Sequence, residues 1–147
     1  MELESHTCLF VHLIFCTRAR KAMLRKPLRK VLFGFWQGWS ERNLIKIISI
    51  NGVDDHVHCL IQLHPTWSLN HVMNLMKEDA AQWINENKII PEHFDWDPGN
   101  FAYSVSPGSL KQVEEYINNQ ELHHQDKSPG GNWNHLKRSG YNPLTRS

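Results

Sequence analysis

Four stretches of the chain are rich in the apolar, β-branched and aromatic residues that favour strands. They lie at residues 7–17, 43–50, 55–63 and 101–106. The first of them, TCLFVHLIFCT, has the continuous apolar character of a buried strand. Asn51-Gly52 is a strong turn signal between the second and third stretches, so we expect these two strands to form a hairpin.

Three other stretches place apolar residues at the spacing of a helix. The first helix, at residues 28–42, has apolar residues at Leu28, Val31, Leu32, Phe35, Trp36 and Trp39. The second begins after Ser68, whose hydroxyl suits an N-cap, and has its stripe at Leu69, Val72, Met73, Met76, Ala80 and Trp83. The third is predicted over residues 109–125, with Leu110, Val113 and Ile117 on its core side.

The predicted order is therefore β-α-β-β-α-β-α. Its first six elements have the ferredoxin-like order, an α+β fold in which one antiparallel sheet carries both helices on one face. The opposite face would then be free for a site or a partner. A length of 147 residues suits one such domain. We expect the domain to span residues 1–127 and to be followed by a flexible tail, rich in glycine and proline, at residues 128–147.

The composition is typical of a soluble globular protein, since 40% of the residues are apolar and 21% are charged. No apolar run approaches the roughly 20 residues that span a bilayer, and the acidic N-terminus does not resemble a signal peptide. We therefore expect a cytoplasmic protein with no membrane partner. Cys8, Cys16 and Cys59 are odd in number and lack CxxC spacing, which predicts buried free thiols.

Positive charge is concentrated in one part of the chain, although the formal net charge is only +1. The segment at residues 18–30 contains no acidic residue, and its basic residues are Arg18, Arg20, Lys21, Arg25, Lys26, Arg29 and Lys30. Such a patch can hold phosphates on an otherwise neutral protein. Taken alone, a short basic run is also typical of a solvated loop, so nucleic-acid binding stays open on this feature.

Two histidines on the third predicted strand are candidates for metal binding. His56 and His58 project from the same face, because side chains alternate along a strand. The residues of the opposite face are all apolar, which suits burial under the helices, so we expect the two imidazoles on the open face. Two parallel imidazoles suit a divalent metal, although an HxH pair alone is also found as ordinary histidines.

Tyr116 and Gln120 are the corresponding pair on the third helix. They lie four residues apart, so they share a face of the helix, beside the apolar stripe. In an arbitrary helix, a tyrosine in this position would pack in the core and a glutamine one turn later would be solvated.

Taken together, these motifs resemble those of a known family. Asp55-His56-Val57-His58 resembles the HUH motif, and Tyr116-Ile117-Asn118-Asn119-Gln120 is similar to the YIxxQ helix of single-tyrosine HUH transposases, the insertion-sequence-200/605 group with its REP-associated relatives. The likeness extends to the first strand and covers roughly residues 7–125. Val53-Asp54 stands where the family more often has Met-Pro.

The resemblance implies a role for each motif residue. His56, His58 and Gln120 would bind a divalent metal, Mg²⁺ or Mn²⁺, and Tyr116 would be the nucleophile. The enzyme would cleave single-stranded DNA beside a hairpin, form a 5′-phosphotyrosine and rejoin the strand. The resemblance also implies a homodimer with shared sites, the histidines from one subunit and the tyrosine from the other. The sequence leaves open whether the tyrosine acts within its own chain, because the loop at Pro107-Gly108 could let the third helix pack on its own sheet or on a neighbour's.

Other residues are expected to contact the DNA. Arg18, Arg20, Lys21 and Arg25 are candidate phosphate contacts. Exposed aromatic residues that could stack on bases, or alternatively pack in the core, are Trp96, Phe101 and Tyr103. His123 and His124 could reach DNA or be solvated.

Two other functions remain open. A host-adopted protein of the same fold would bind a DNA or RNA hairpin without cleaving it. A ferredoxin-like regulatory or small-ligand domain would leave the basic run from Arg18 unexplained.

Overall fold

A computed structural model of the protein describes residues 6–120. The strands are β1 (Leu9–Cys16), β2 (Lys46–Gly52), β3 (His56–Leu63) and β4 (Phe101–Val105). The helices are α1 (Lys26–Arg42), α2 (Leu69–Glu86) and α3 (Leu110–Asn118). This order confirms the predicted β-α-β-β-α-β-α sequence. The predicted tail and the last residues of the third predicted helix, with His123 and His124, lie outside the described residues.

The four strands form one sheet in the order β2-β3-β1-β4. Every neighbouring pair is antiparallel, and Ile14 of β1 lies opposite His58 of β3. This is the ferredoxin-like arrangement that the order of elements predicts. Within residues 6–120, no helix has the length and apolar character needed to cross a membrane.

One face of the sheet carries the main core beneath α1 and α2. Val57, Cys59 and Ile61 of β3 point into it, as their alternation predicts. The two helices are tied together by indole hydrogen bonds, since Trp36 donates to the Met76 carbonyl (3.1 Å) and Trp39 donates to the Asp79 carboxylate (2.8 Å). Each large apolar side chain buried here contributes about 1.5–3 kcal/mol, so this face stabilises most of the fold.

The opposite face of the sheet is covered by α3, so the prediction that it stays free is wrong. Leu60 of β3 and Val105 of β4 form a second, smaller core with Val113, Tyr116 and Ile117 of α3. A short 3-10 turn at Pro107–Ser109 returns the chain from β4 to this face. The apolar stripe of α3 needs a partner, and the nearest apolar surface is its own sheet.

The end of α3 is also held to β2 by polar contacts. The Ser49 hydroxyl donates to the side-chain oxygen of Asn118 (2.6 Å), and the Asn51 amide donates to the Asn118 carbonyl (3.1 Å). These bonds fix the turn of helix that follows Tyr116.

The cysteines only partly follow the prediction of buried thiols. Cys59 is buried within the main core, and burial raises the pKa of its thiol. Cys16 is half-buried, whereas Cys8 is exposed because it precedes β1 and packs under neither layer of helices.

Candidate functional site

His56 and His58 lie side by side on the face of β3 that α3 covers. Their ring centroids are 5.1 Å apart, with the rings nearly perpendicular. The shared face is as predicted, but the rings are 2% and 1% exposed because α3 lies over them. The two imidazoles therefore occupy a closed space between the sheet and the third helix.

The ring of His56 is held through its Nδ1 atom. Nδ1 lies 2.7 Å from a carboxylate oxygen of Asp55, the residue that precedes it. This hydrogen bond, assisted by the charge of Arg20, lowers the pKa of Asp55 to about 2, so the carboxylate is ionised at neutral pH. An ionised acceptor keeps the ring proton on Nδ1, so in the neutral ring the lone pair lies on Nε2.

The ring of His58 is held at the same atom by a residue of another strand. Its Nδ1 lies 2.8 Å from Nε2 of His12, on β1. His12 is fully buried, and burial lowers its pKa to about 3, so that ring is neutral. His12 is not among the residues singled out by the sequence, although it stands on the even, site-facing positions of β1 as the one strongly polar residue among apolar ones.

Tyr116 reaches the same space from α3. Its ring stands edge-on to that of His58, with centroids 5.8 Å apart, and is 3% exposed. Burial raises the pKa of Tyr116 to about 12, while a polar contact with Gln120 acts weakly in the opposite direction. The phenol is therefore protonated at neutral pH and would have to lose its proton to act as a nucleophile.

Gln120 lies fully buried one helical turn beyond Tyr116. Neither atom of its side-chain amide makes a properly aligned hydrogen bond among residues 6–120. A buried polar group without such a bond costs about 1–3 kcal/mol, so this position favours an additional ligand for the amide.

These side chains fit a divalent metal. Within the described part of the chain, no three His, Cys, Asp or Glu side chains are grouped so that they could hold an ion. A site here would therefore combine the two imidazoles with a third donor of another type. The buried Gln120 amide oxygen is such a donor, and oxygen and imidazole ligands together suit ions such as Mn²⁺.

The four predicted phosphate contacts, Arg18, Arg20, Lys21 and Arg25, are all exposed. Two of them form ion pairs, since Arg18 lies 2.7 Å from Asp95 and Arg20 lies 3.3 Å from Asp55. Arg29, in the same basic run, is instead buried and donates to the Leu24 carbonyl and to Asp54. The basic run is thus partly structural.

Arg20 stands at the edge of the histidine pair. Its guanidinium also approaches Nδ1 of His56 at 3.4 Å. That nitrogen already carries the proton donated to Asp55 at 2.7 Å, so it cannot also accept from Arg20. Ala19 and Arg20 both have positive φ (54° and 56°), a strained turn costing about 1–3 kcal/mol per residue, which directs Arg20 towards the site.

Lys21 and Arg25 line a groove of about 710 Å³ between the start of α1 and the segment after α2. Its lining also includes His93 and the exposed side chains of Val31 and Ile89. Its lining residue Lys21 directly follows Arg20 in the chain.

Among the aromatic residues predicted either to stack on bases or to pack in the core, Trp96 packs in the core. It is 4% exposed and stacks on Trp36 in the main core, with ring centroids 5.7 Å apart. The loop that carries Trp96 has no periodic pattern, so spacing could not distinguish the two alternatives. Phe101 is 44% exposed and Tyr103 is half-buried, both on β4.

Comparison with known proteins connects this geometry to a family. The family model described as "Transposase IS200 like" matches residues 5–120. The ISDra2 transposase TnpA of Deinococcus radiodurans is 23% identical over 115 residues, which cover 74% of this chain and 81% of that protein.

Two solved structures share the fold. One is a crystal structure assigned as a transposase from Deinococcus radiodurans, 20% identical, with a TM-score of 0.65 over 82% of this chain and 96% of that one. The other is a REP-associated tyrosine transposase bound to a REP hairpin, 13% identical, with a TM-score of 0.61 over 84% of this chain and 74% of that one.

Proposed function

The chain belongs to the IS200-like transposase family, and from that premise we propose that it is a metal-dependent enzyme that cleaves and rejoins single-stranded DNA through a 5′-phosphotyrosine. The observation that carries the proposal is the meeting of Tyr116 with the His56–His58 pair between α3 and β3. Gln120, buried one turn beyond the tyrosine, completes the group. A nucleophile beside a set of metal-binding side chains is the arrangement that phosphoryl transfer requires.

In this proposal His56, His58 and Gln120 hold the metal. A bound Mg²⁺ or Mn²⁺ would supply positive charge that polarises the scissile phosphate. Asp55 keeps the Nδ1 proton on His56, so that in the neutral ring the lone pair that would bind the metal lies on Nε2.

Tyr116 supplies the covalent step. Its oxygen forms a bond to phosphorus while the bond from phosphorus to the 3′ oxygen breaks, and that oxygen leaves as a 3′-OH after taking up a proton. The phenol must lose its own proton as it attacks, since its pKa is about 12. The phosphodiester energy is kept in the tyrosine linkage, so a second 3′-OH can attack it and rejoin the strand.

Access to Tyr116 requires α3 to move. The side chain is 3% exposed, and a DNA phosphate cannot reach its hydroxyl while the helix lies on the sheet. The turn at Pro107–Ser109 is the natural hinge, because it alone joins α3 to β4. We propose that the helix either lifts from its own sheet or exchanges onto that of a second subunit, in a two-fold homodimer with shared sites.

The proposed substrate is a single strand next to a hairpin. The REP-associated relative is bound to such a hairpin. Here Arg20 lies beside the histidine pair, and Lys21 and Arg25 continue the positive surface into the neighbouring groove. Arg18 contributes less, because its guanidinium is paired with Asp95. Phosphates on these side chains would run towards the site.

The burial of Tyr116 also suits a second function, a hairpin-binding protein that does not cleave. End-labelled oligonucleotides distinguish the two. In the presence of Mn²⁺, a 5′-phosphotyrosine enzyme should carry the 3′-end label into a covalent protein adduct and release the 5′-labelled fragment with a 3′-OH. A 5′ label on the protein would reverse the proposed polarity, and binding without any adduct would favour the non-cleaving protein.

A further inference from the structure

The second metal-binding histidine has a partner that the proposed chemistry does not use. His12 on β1 stands opposite Leu60 of β3 and is therefore a diagonal neighbour of His58 on the same face of the sheet. Its Nε2 lies 2.8 Å from Nδ1 of His58, and the ring centroids are 5.0 Å apart. The contact is wholly buried, since the two rings are 0% and 1% exposed.

A hydrogen bond between two ring nitrogens contains one proton, and its position decides what His58 can do. If His58 donates from Nδ1, its Nε2 carries a lone pair and can bind a metal. If His12 donates instead, the neutral His58 ring carries its proton on Nε2, and that atom cannot be a ligand. His58 can therefore bind a metal through Nε2 only if His58, and not His12, is the donor of this hydrogen bond.

The two metal-binding rings are held alike by unrelated residues. Asp55 holds Nδ1 of His56 at 2.7 Å from the adjacent chain position, and His12 holds Nδ1 of His58 at 2.8 Å from another strand. In both rings, a proton held on Nδ1 would place the lone pair of the neutral imidazole on the same atom, Nε2. A carboxylate in the fully buried position of His12 would carry a large desolvation cost, whereas a neutral imidazole accepts the same hydrogen bond without it.

We propose that His12 is a positioning residue, which accepts the Nδ1 proton of His58 and so fixes the tautomer and ring orientation in which His58 binds the metal. This inference rests on the proposed function, because it assumes that His58 is a ligand. Partners of metal-binding histidines typically change metal affinity about 10- to 100-fold when they are removed.

Three variants of matched design test the proposal. His12→Leu fills the space without an acceptor and should weaken Mn²⁺ binding about 10- to 100-fold by calorimetry. His12→Gln places an amide oxygen near the position of Nε2 and should restore most of the affinity. His12→Asn, whose amide stops one atom short, should behave like His12→Leu. Thermal unfolding of each variant shows whether the fold is retained.

A second readout needs no metal. Nitrogen-15 NMR of the metal-free protein should show His58 with its proton on Nδ1 in wild type and in His12→Gln, and with substantial Nε2 protonation in His12→Leu. Unchanged tautomer and Mn²⁺ affinity in folded His12→Leu would overturn the inference. If wild type bound no Mn²⁺ while the tautomer still depended on His12, the metal site of the proposed function would fail but the His12–His58 coupling would stand.

Discussion

The two histidine rings and the glutamine amide of the site are fixed by different constraints. The rings are each held at Nδ1 by a neighbour, whereas the Gln120 amide is buried without an aligned partner among the described residues. Held rings and an amide in need of a partner form a site that is prepared for a ligand. Loss of either ring should therefore weaken binding of the proposed metal and, with it, prevent DNA cleavage.

We predict that His56→Ala and His58→Ala abolish covalent adduct formation, reducing it at least about 100-fold, because each removes a metal ligand. Excess EDTA should have the same effect on wild type. Since imidazole ligands favour softer ions than Mg²⁺, Mn²⁺ should support activity at the lower concentration.

The matched control is His71→Ala, which removes an exposed histidine on α2 that stacks on Trp67, away from the site. This variant should retain activity. Full adduct formation in EDTA, or in both site variants, would show that the histidines are not ligands.

The residue-level contacts that the sequence did not reveal share one physical cause. The partner of His58 lies 46 positions away on another strand, and the partner of Arg18 is Asp95, so neither contact is visible in local spacing. His56 and His58 were predictable because strand alternation fixes which residues share a face. The roles of Tyr116 and Gln120 came only from the resemblance.

Among the elements, α3 is the one that covers the site, so its packing on the sheet controls access to Tyr116. Strand-favouring composition predicted the four strands, and helical spacing of apolar residues predicted α1 and α2. They could not predict where α3 packs, because its stripe fits any apolar surface within reach. In the described chain it packs through a small cluster around Val113 and Ile117, far smaller than the main core.

We predict that α3 opens more readily than the rest of the domain. Hydrogen exchange followed by mass spectrometry should show its backbone amides exchanging at least about tenfold faster than those of β1 and β3, since few buried contacts hold it. Ile117→Ala, which removes about 2–5 kcal/mol of packing, should speed exchange in α3 and leave the two strands protected. Equal protection of α3 and the central strands would argue against a helix that lifts to admit DNA.

At the scale of the whole molecule, the single chain brings Tyr116 and the histidines together without a second copy. The shared site implied by the family resemblance remains a prediction about a dimer. In a shared site, α3 of one chain would take the place that α3 occupies here on its own sheet, so the two arrangements would differ in which chain supplies the helix. A closed two-fold dimer would provide two equivalent sites, one for each end of an excised strand.

Mixed dimers test the shared site. Tyr116→Phe and His58→Ala chains, each inactive alone, should regain one working site per heterodimer if the helix comes from the partner. The expected recovery is about half of the wild-type activity per dimer, because one of the two sites combines both substitutions. An inactive but verified heterodimer would mean that each site is built within one chain, and a monomer in solution would remove the premise.

Two tyrosine variants distinguish Tyr116 as the proposed nucleophile from the other tyrosine of the sheet. Tyr116→Phe removes a buried hydroxyl and keeps the ring in the second core between α3 and the sheet. The fold and DNA binding should therefore survive while the covalent DNA adduct disappears. Tyr103→Phe makes the same change on β4, opposite His12 on the same sheet, and should retain the adduct. Mass spectrometry of the wild-type adduct should find the nucleotide on the peptide that contains Tyr116. An undiminished adduct in Tyr116→Phe, or a nucleotide on another tyrosine, would show that Tyr116 is not the nucleophile.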